Sequence, residues 1–327
     1  MIQFGVLGAA RIVPNALVLP CADEPRSAIA CIAARDPSRA ERFARKHGIP
    51  VAHPSYRDVI EDSSIEAVYN PLPISLHHRW TIEALAAGKH VLCEKSFSSN
   101  AREAEEMAKA ATENGRVLMD AFHYRYHPAF HRAREIVESG RLGRVASVEA
   151  RFHVPITDPA DIRLNYETGG GATMDIGCYA ISWARHITGE EPSELTAVAE
   201  VGPPHVDVFL EARFEFPSGA RAVVSGDMRA GVPPRIELSV TGDEGKMVFR
   251  NPLAPQLGHR IELDIQGHKT VEELDRRSTY AYQLDAFIEA IEEGQPLLTG
   301  ARDAVKQMRV IDRCYEAAGL PLRGLDL

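Results

Sequence analysis

Six residues, Gly8-Ala9-Ala10-Arg11-Ile12-Val13, stand where a phosphate-binding turn would be, directly after a short apolar run. A pyrophosphate at a helix N-terminus needs small residues so that backbone amides can approach it. Only the first glycine of a G-x-G-x-x-G pattern is present, and Ala10 is nearly as small as the second. By itself this turn is equally readable as a plain strand-to-helix connection. The end of the next apolar run, Ala33-Ala34-Arg35-Asp36-Pro37, sharpens the choice. An acid at that point binds a ribose 2′-hydroxyl, whereas an arginine accommodates a 2′-phosphate. Asp36 precedes a proline and suits a helix N-cap. That leaves Arg35, assisted by Arg39 one turn later, as charge-assisted donors to a phosphate. The expected cofactor is therefore NADP, with NAD the less favoured choice.

Other clusters offer less. His123, His127 and His131 recur every four residues and on one continuous helix would mimic a metal site. Pro128 is expected to start its helix after His127, which breaks that spacing, and His77-His78 has no matching partner, so no metal is expected. No G-x-S-x-G or Cys-His signature marks a nucleophile. Cys21, Cys31, Cys93, Cys178 and Cys314 contain no C-x-x-C pair and imply neither a zinc cage nor a disulfide framework.

The elements that must position these residues follow from periodicity. Apolar runs at Ile2 to Gly8, Ala28 to Ala34, Ala67 to Asn70, His90 to Glu94 and Val117 to Phe122 alternate with amphipathic helical patterns, the signature of βαβ units. Asp36-Pro37 starts one helix, Ser75 precedes another that stops at Gly88, and Asn100 with Glu103 forms a capping-box-like start. After Tyr124 the texture changes. A helix near Pro128 to Ser139 leads to a strand pattern from Arg144 to Val154, then a glycine-rich loop and a helix near Ala172 to Ile187. Period-two runs follow at Val206 to Phe216, Ala220 to Met228, Arg235 to Thr241, Lys246 to Arg250 and Arg260 to Ile265, joined in places by hairpin-like Pro217-Ser218-Gly219 and Gly242-Asp243-Glu244-Gly245. Helices near Tyr280 to Glu293 and Ala301 to Ala317 close the chain. The expected fold is an α/β Rossmann domain with a parallel sheet, residues 1–122, then an α+β domain with a large open, mainly antiparallel sheet, residues 123–327, whose last helices return toward the first.

With 327 residues, 45% hydrophobic and 25% charged, two soluble globular domains are expected. The formal net charge of -9 argues against a broad nucleic-acid or anionic-membrane surface. The opening MIQFGVLG has no basic n-region and too short an apolar run for a secretory signal, so the expected compartment is the cytoplasm.

At Pro71-Leu72-Pro73, Ser75-Leu76-His77 and Glu83 through Lys95 (EALAAGKHVLCEK) the sequence resembles the Gfo/Idh/MocA oxidoreductase family. The segments Ala121 to Pro128 (AFHYRYHP) and Gly169 to Tyr179 (GGGATMDIGCY) are similar to its dimeric dihydrodiol dehydrogenase and NADP-dependent D-xylose dehydrogenase branch. The resemblance covers essentially the whole chain. It implies a nicotinamide cofactor lying in a cleft between two domains, and homodimers or homotetramers assembled through the second-domain sheet. It also implies that Lys95 is the catalytic lysine and that Asp175 and Tyr179 are the D-x-x-x-[HY] pair. Pro71, Leu72, His77 and Glu94 fall on cofactor-lining segments, with Gly8, Ala10, Arg11 and Ile12 forming the phosphate turn. His123, Arg125 and Arg163 look substrate-facing, the two arginines being alternatively surface salt bridges.

Asp175 and Tyr179, four apart, would share one helical face. Neither a phenol near pKa 10 nor an ammonium near 10.4 is a good base at neutral pH, but placing one beside the other lowers the phenol pKa, and NADP+ adds positive charge. The expectation is that Tyr179 takes a hydroxyl proton while Lys95 polarises the oxygen, or the reverse, with Asp175 orienting a sugar or pairing with Lys95. The family usually has proline after this lysine and a cis bond before it. Here Ser96 follows, where a cis bond costs roughly 2.5 to 4 kcal/mol, so a trans or strained loop is expected. The expected activity is NADP-dependent hydride transfer at a secondary or anomeric hydroxyl of a sugar, polyol or diol. A nucleotide-sugar ketoreductase and a catalytically silent NADP(H)-binding sensor are the alternatives.

Overall fold

The computed structural model describes residues 1–202 and 205–324. Two units emerge, Met1–His123 with Tyr280–Lys306, and Tyr124–Thr279 with Gln307–Leu327.

The first unit is built on a six-stranded sheet. Its strands are β1 (Ile2–Leu7), β2 (Ser27–Ala33), β3 (Val51–His53), β4 (Ala67–Asn70), β5 (His90–Cys93) and β6 (Leu118–Asp120). The order is β3-β2-β1-β4-β5-β6 and every pairing is parallel. Parallel strands are covered on both faces, which is why β4 is buried at every position and β1 reads as a nearly unbroken apolar run. The crossover helices are α1 (Leu19–Asp23), α2 (Pro37–His47), α3 (Tyr56–Glu61), α4 (His77–Ala86) and α5 (Ala101–Glu113). Helix α2 begins as expected: Asp36 accepts from the Ser38 amide, Pro37 occupies the first turn, and three basic residues near Gly48 face the negative end of the dipole. Helix α5 is capped by Asn100, which accepts from Glu103 N, while Glu103 reaches back to Ser99 N. Ser75 does not cap α4. It lies inside a 3-10 turn, Ile74–Leu76, from which α4 continues without a side-chain cap.

In the second unit, α6 (Pro128–Glu138) leads to β7 (Val145–His153), and α7 (Cys178–Thr188) follows a π turn at Thr173–Gly177. Then come β8 (Glu194–Gly202), β9 (Val206–Glu215), β10 (Arg221–Asp227), β11 (Arg235–Gly242), β12 (Gly245–Arg250), β13 (Arg260–Ile265) and β14 (His268–Glu272). The sheet order is β14-β13-β12-β11-β7-β10-β9-β8, antiparallel except for the central β7·β10 pair. Helix α7 packs on β7 and β10, with Trp183 stacked on Phe152 at 6.0 Å. The closing helices are α8 (Thr279–Glu292) and α9 (Ala301–Ala317). Phe287 of α8 packs against Phe4 of β1, and Asp120 N of β6 donates to the Thr299 carbonyl, so this return segment completes the core of the first unit.

Four elements escaped the periodicity reading. β3 and α3 are too short to establish a period. The inward set of β8, Leu195, Ala197 and Ala199, is only half-buried, and β14 is almost wholly polar and exposed. Such edge strands take their conformation from a neighbour rather than from their own pattern.

Candidate active site

The strand order reverses between β1 and β4, and a crevice at such a switch point, beyond the carboxyl ends of the strands, is where dinucleotides bind in open α/β sheets. Two expected residues meet there. Gly8 leaves β1 with φ +101°, donates its amide to the Ala33 carbonyl at 2.7 Å, and has the Leu72 side chain 3.0 Å from where a Cβ would stand. Pro71 and Leu72 are buried; Ala10 and Ile12 are half-buried and Arg11 is exposed. The turn opens into a π segment, Pro14–Val18, before α1, rather than directly into an α-helix. Val13 donates to the Ala10 carbonyl, and Asn15 and Ala16 both donate to the Ile12 carbonyl, while Pro14, whose nitrogen carries no proton, donates nothing.

At the end of β2, Arg35 is exposed and Arg39 donates to the Ala9 carbonyl at 2.8 Å, tying α2 to the glycine turn. Asp36 accepts from both Ser38 N and Ser38 Oγ, which hold its carboxyl below the usual range and commit it to the helix cap. The half-buried hydroxyl of Tyr56 faces Arg35 and Arg39, and burial pushes its pKa up. Tyr56 also meets Trp80 edge-on at 5.1 Å, with the Arg79 guanidinium 4.7 Å over Trp80. This aromatic and cationic wall was missed, because Tyr56 and Trp80 belong to different helices and neither sits in a motif.

The carboxyl ends of β4 and β5 carry the next group. Asn70 accepts from Leu72 N and donates to the His77 carbonyl and Thr81 Oγ1. The buried ring of His77 joins the Leu72 and Ser96 carbonyls, and burial drives its pKa down to about 4. Tyr69 donates to Glu94 Oε1 at 2.7 Å. Lys95 is half-buried, and the Lys95–Ser96 peptide is cis although no proline follows. Of the two expected arrangements, the trans one is therefore corrected. Buried Asp120, paired with Cys93 in the sheet register, has its carboxyl raised well above the usual range by burial and by the charges of Asp303 and Glu94, with Lys95 opposing. His123 belongs to this unit, its ring 4.1 Å from Tyr280.

In the second unit, Arg163 donates Nε and Nη2 to the two oxygens of Asp161 at 2.9 and 2.8 Å, and its Nη1 lies 3.6 Å from Asp175 Oδ2. Arg163 is thus held between two carboxylates. Tyr179 is buried among Tyr124, Phe152 and Trp183, ring centroids 5.7 to 6.2 Å away. The four-residue spacing assumed one α-helix, but Asp175 lies in the π turn, where Cys178 N reaches back to the Thr173 carbonyl. The wider turn gives Asp175 an ionic, partly exposed setting and Tyr179 an aromatic one. Glycines let this turn lie flat on the sheet: a Cβ on Gly226 of β10 would stand 2.9 Å from Gly177 Cα and from the Ala172 carbonyl.

Arg125 is buried beside Phe130, so the surface salt-bridge alternative does not describe it; its carbonyl accepts from His131 Nε2. His127 caps α6 through Nδ1, accepting from Ala129 N at 3.1 Å, which breaks the histidine spacing at the expected place.

Comparison with known proteins agrees with this architecture. Residues 2–122 match the model of an oxidoreductase family with an NAD-binding Rossmann fold, and residues 130–248 match the Gfo/Idh/MocA C-terminal domain. The chain belongs to the Gfo/Idh/MocA family of oxidoreductases. It is 35% identical over 320 residues, 97% of each chain, to a D-xylose 1-dehydrogenase (NADP(+)) from Haloferax volcanii. Among solved structures it resembles an aldose-aldose oxidoreductase from Caulobacter crescentus complexed with glycerol, at 28% identity, 97% coverage of both chains and a TM-score of 0.90. A 3-ketoreductase from Actinomadura kijaniata, in complex with NADP and TDP-benzene, matches with the same identity, coverage and TM-score.

Proposed function

We propose that this protein is an NADP-dependent dehydrogenase acting on a secondary or anomeric hydroxyl of a neutral sugar or related polyol or diol. The observation that carries the cofactor choice is at the end of β2: Asp36 is committed to Ser38, while exposed Arg35 stands beside the Arg39 that braces the glycine turn. That donor set fits a 2′-phosphate, and the small residues Gly8 and Ala10 fit a pyrophosphate. Gly8, Ala10, Arg11, Ile12, Arg35, Arg39, Pro71, Leu72, His77 and Glu94 would hold the cofactor.

Bound oxidised nicotinamide supplies the hydride acceptor. Lys95 donates a hydrogen bond to the substrate oxygen and polarises it, and Tyr179 takes the hydroxyl proton, leaving a carbonyl, or a lactone when the anomeric carbon reacts. The two roles are exchangeable. Asp175 accepts from a neighbouring sugar hydroxyl and is oriented by Arg163. His123 and Arg125 are assigned to substrate binding.

The Asp161–Arg163–Asp175 group favours a neutral substrate over a nucleotide sugar. Two carboxylates already face the one guanidinium, so a diphosphate arriving there meets net negative charge. The second reading, a nucleotide-sugar ketoreductase, is supported by the Actinomadura match. We also assign the protein to the cytoplasm and to homodimers or homotetramers formed through the sheet of the second unit, whose Val198 is 63% exposed.

The test is a pair of calorimetric titrations of cofactor-stripped protein with NADPH and NADH, then turnover with NADP+ on a panel of aldoses, diols and nucleotide sugars. Selective NADPH binding with aldose turnover is expected. NADH preference overturns the cofactor assignment, turnover of nucleotide sugars alone overturns the substrate assignment, and binding without any turnover points to the silent sensor.

A further inference from the structure

We propose that Arg323, through Asp207, is a positioning residue for the turn that presents Asp175 and Tyr179. The inference rests on the assignment of those two residues under Proposed function.

The side chains of Arg323 and Asp207 are 1% and 0% exposed, and Arg323 Nη2 donates to Asp207 Oδ1 at 2.6 Å. Arg323 Nε donates to the Gly170 carbonyl at 3.0 Å, and its guanidinium lies 4.7 Å from the ring centre of Tyr166 and 4.6 Å from that of Tyr315. Asp207 Oδ2 accepts from Thr173 N at 2.7 Å and Thr173 Oγ1 at 2.6 Å, and Oδ1 also accepts from the Tyr315 hydroxyl at 3.0 Å. The pair therefore grips the loop on both sides of Gly171-Ala172: the cation holds the carbonyl before it and the carboxylate holds the amide after it.

Gly171 ties this grip to the site. Its φ of +146° is one that residues with a side chain rarely adopt, and a Cβ there would stand 2.2 Å from Asp207 Oδ1. Asp175 N donates to the Gly171 carbonyl at 2.9 Å, while Gly171 N donates to the Arg163 carbonyl at 2.9 Å. One glycine thus links the backbone of Asp175 to that of Arg163, whose guanidinium faces Asp175. A shift of this loop moves the carboxylate and its partner together. Burying two charges is costly unless they are paired and hydrogen-bonded, and well-packed apolar residues often stabilise as well. What the ion pair adds is a definite geometry at Gly170 and Thr173.

The test compares Arg323→Gln and Arg323→Lys in the full chain, measuring KM and kcat per active enzyme with the best-turned-over sugar, the NADPH Kd and the melting temperature. Arg323→Gln is expected to lower kcat/KM for the sugar on the order of 10- to 100-fold through misplacement of Asp175. The NADPH Kd is expected to stay within about twofold, since no charged contact to the phosphate is altered. Arg323→Lys, which restores the charge opposite Asp207, is expected to recover part of the loss. A lower melting temperature with wild-type KM and kcat overturns the proposal, because a purely stabilising role predicts that pattern. If Arg323→Gln does not fold, Asp207→Asn/Arg323→Gln removes both charges and leaves an amide oxygen for Thr173; wild-type kinetics in that protein also overturn it. Failure of the underlying site assignment is seen separately: wild-type kcat and KM in Asp175→Asn and Tyr179→Phe remove that assignment whatever Arg323 does.

Discussion

The buried ring of His77 lies between two backbone carbonyls, Leu72 O at 2.7 Å from Nε2 and Ser96 O at 2.9 Å from Nδ1. It stitches the loop after β4 to the residue that follows Lys95. Two carbonyl acceptors favour the imidazolium, but burial outweighs them and holds the ring neutral at ordinary pH.

This makes His77 a source of acid sensitivity. Its folded pKa, about 4, lies below the ordinary 6.5, so between those values the unfolded chain binds the extra proton and stability rises with pH. The contribution is full above pH 6.5 and fades as the pH falls toward 4, about 3 kcal/mol in all at 1.36 kcal/mol per unit. Urea unfolding of wild type and His77→Asn from pH 4 to 7 is expected to show a wild-type advantage that shrinks in acid. A constant difference would refute the assignment.

On the proposed assignment, Arg35 is the residue that selects the 2′-phosphate. Arg35→Ala is expected to weaken NADPH binding by about 10- to 100-fold, the range of a lost charge-assisted hydrogen bond, and to leave NADH binding nearly unchanged. Fluorescence titration of both nucleotides measures this. Asp36→Ala, by contrast, is expected to lower stability through loss of the α2 cap, with the nucleotide preference retained.

Lys95→Met preserves much of the side-chain bulk while removing the ammonium group. Turnover is expected to fall by about 10² to 10⁴-fold, the usual scale of acid–base assistance, with NADPH affinity kept. Single-turnover absorbance at the nicotinamide band, alongside binding titration, separates these two readouts.

The flat seating of the Asp175 turn depends on Gly226. Adding a methyl group there places carbon 2.9 Å from Gly177 N, Gly177 Cα and the Ala172 carbonyl, all backbone atoms that yield poorly. Gly226→Ala is expected to cost about 1 to 3 kcal/mol by denaturant unfolding, as overpacking does, and to lower kcat/KM as well. Unchanged stability would mean that the turn can rise off β10.

What the sequence by itself determined is local. Asp36-Pro37, Asn100 with Glu103, and His127-Pro128 each announced a helix start because a cap acts within three residues of itself. The apolar runs of β1, β2, β4 and β5 announced a parallel sheet because strands covered on both faces must be apolar throughout. The segments around Lys95 and Asp175 were readable through their resemblance to the family, not through any local spacing rule. Only the tertiary structure decided how those segments are held. Arg323 and Asp207 are 116 residues apart, and an acid within the apolar run of β9 gave no hint of a partner. The π turn beneath Asp175 and the cis peptide after Lys95 also left no mark on periodicity. The edge strands β3, β8 and β14 were invisible too, because their hydrogen bonds come from a neighbour. Such features arise from contacts that exist only once distant parts of the chain have been brought together and desolvated, and no local spacing encodes them.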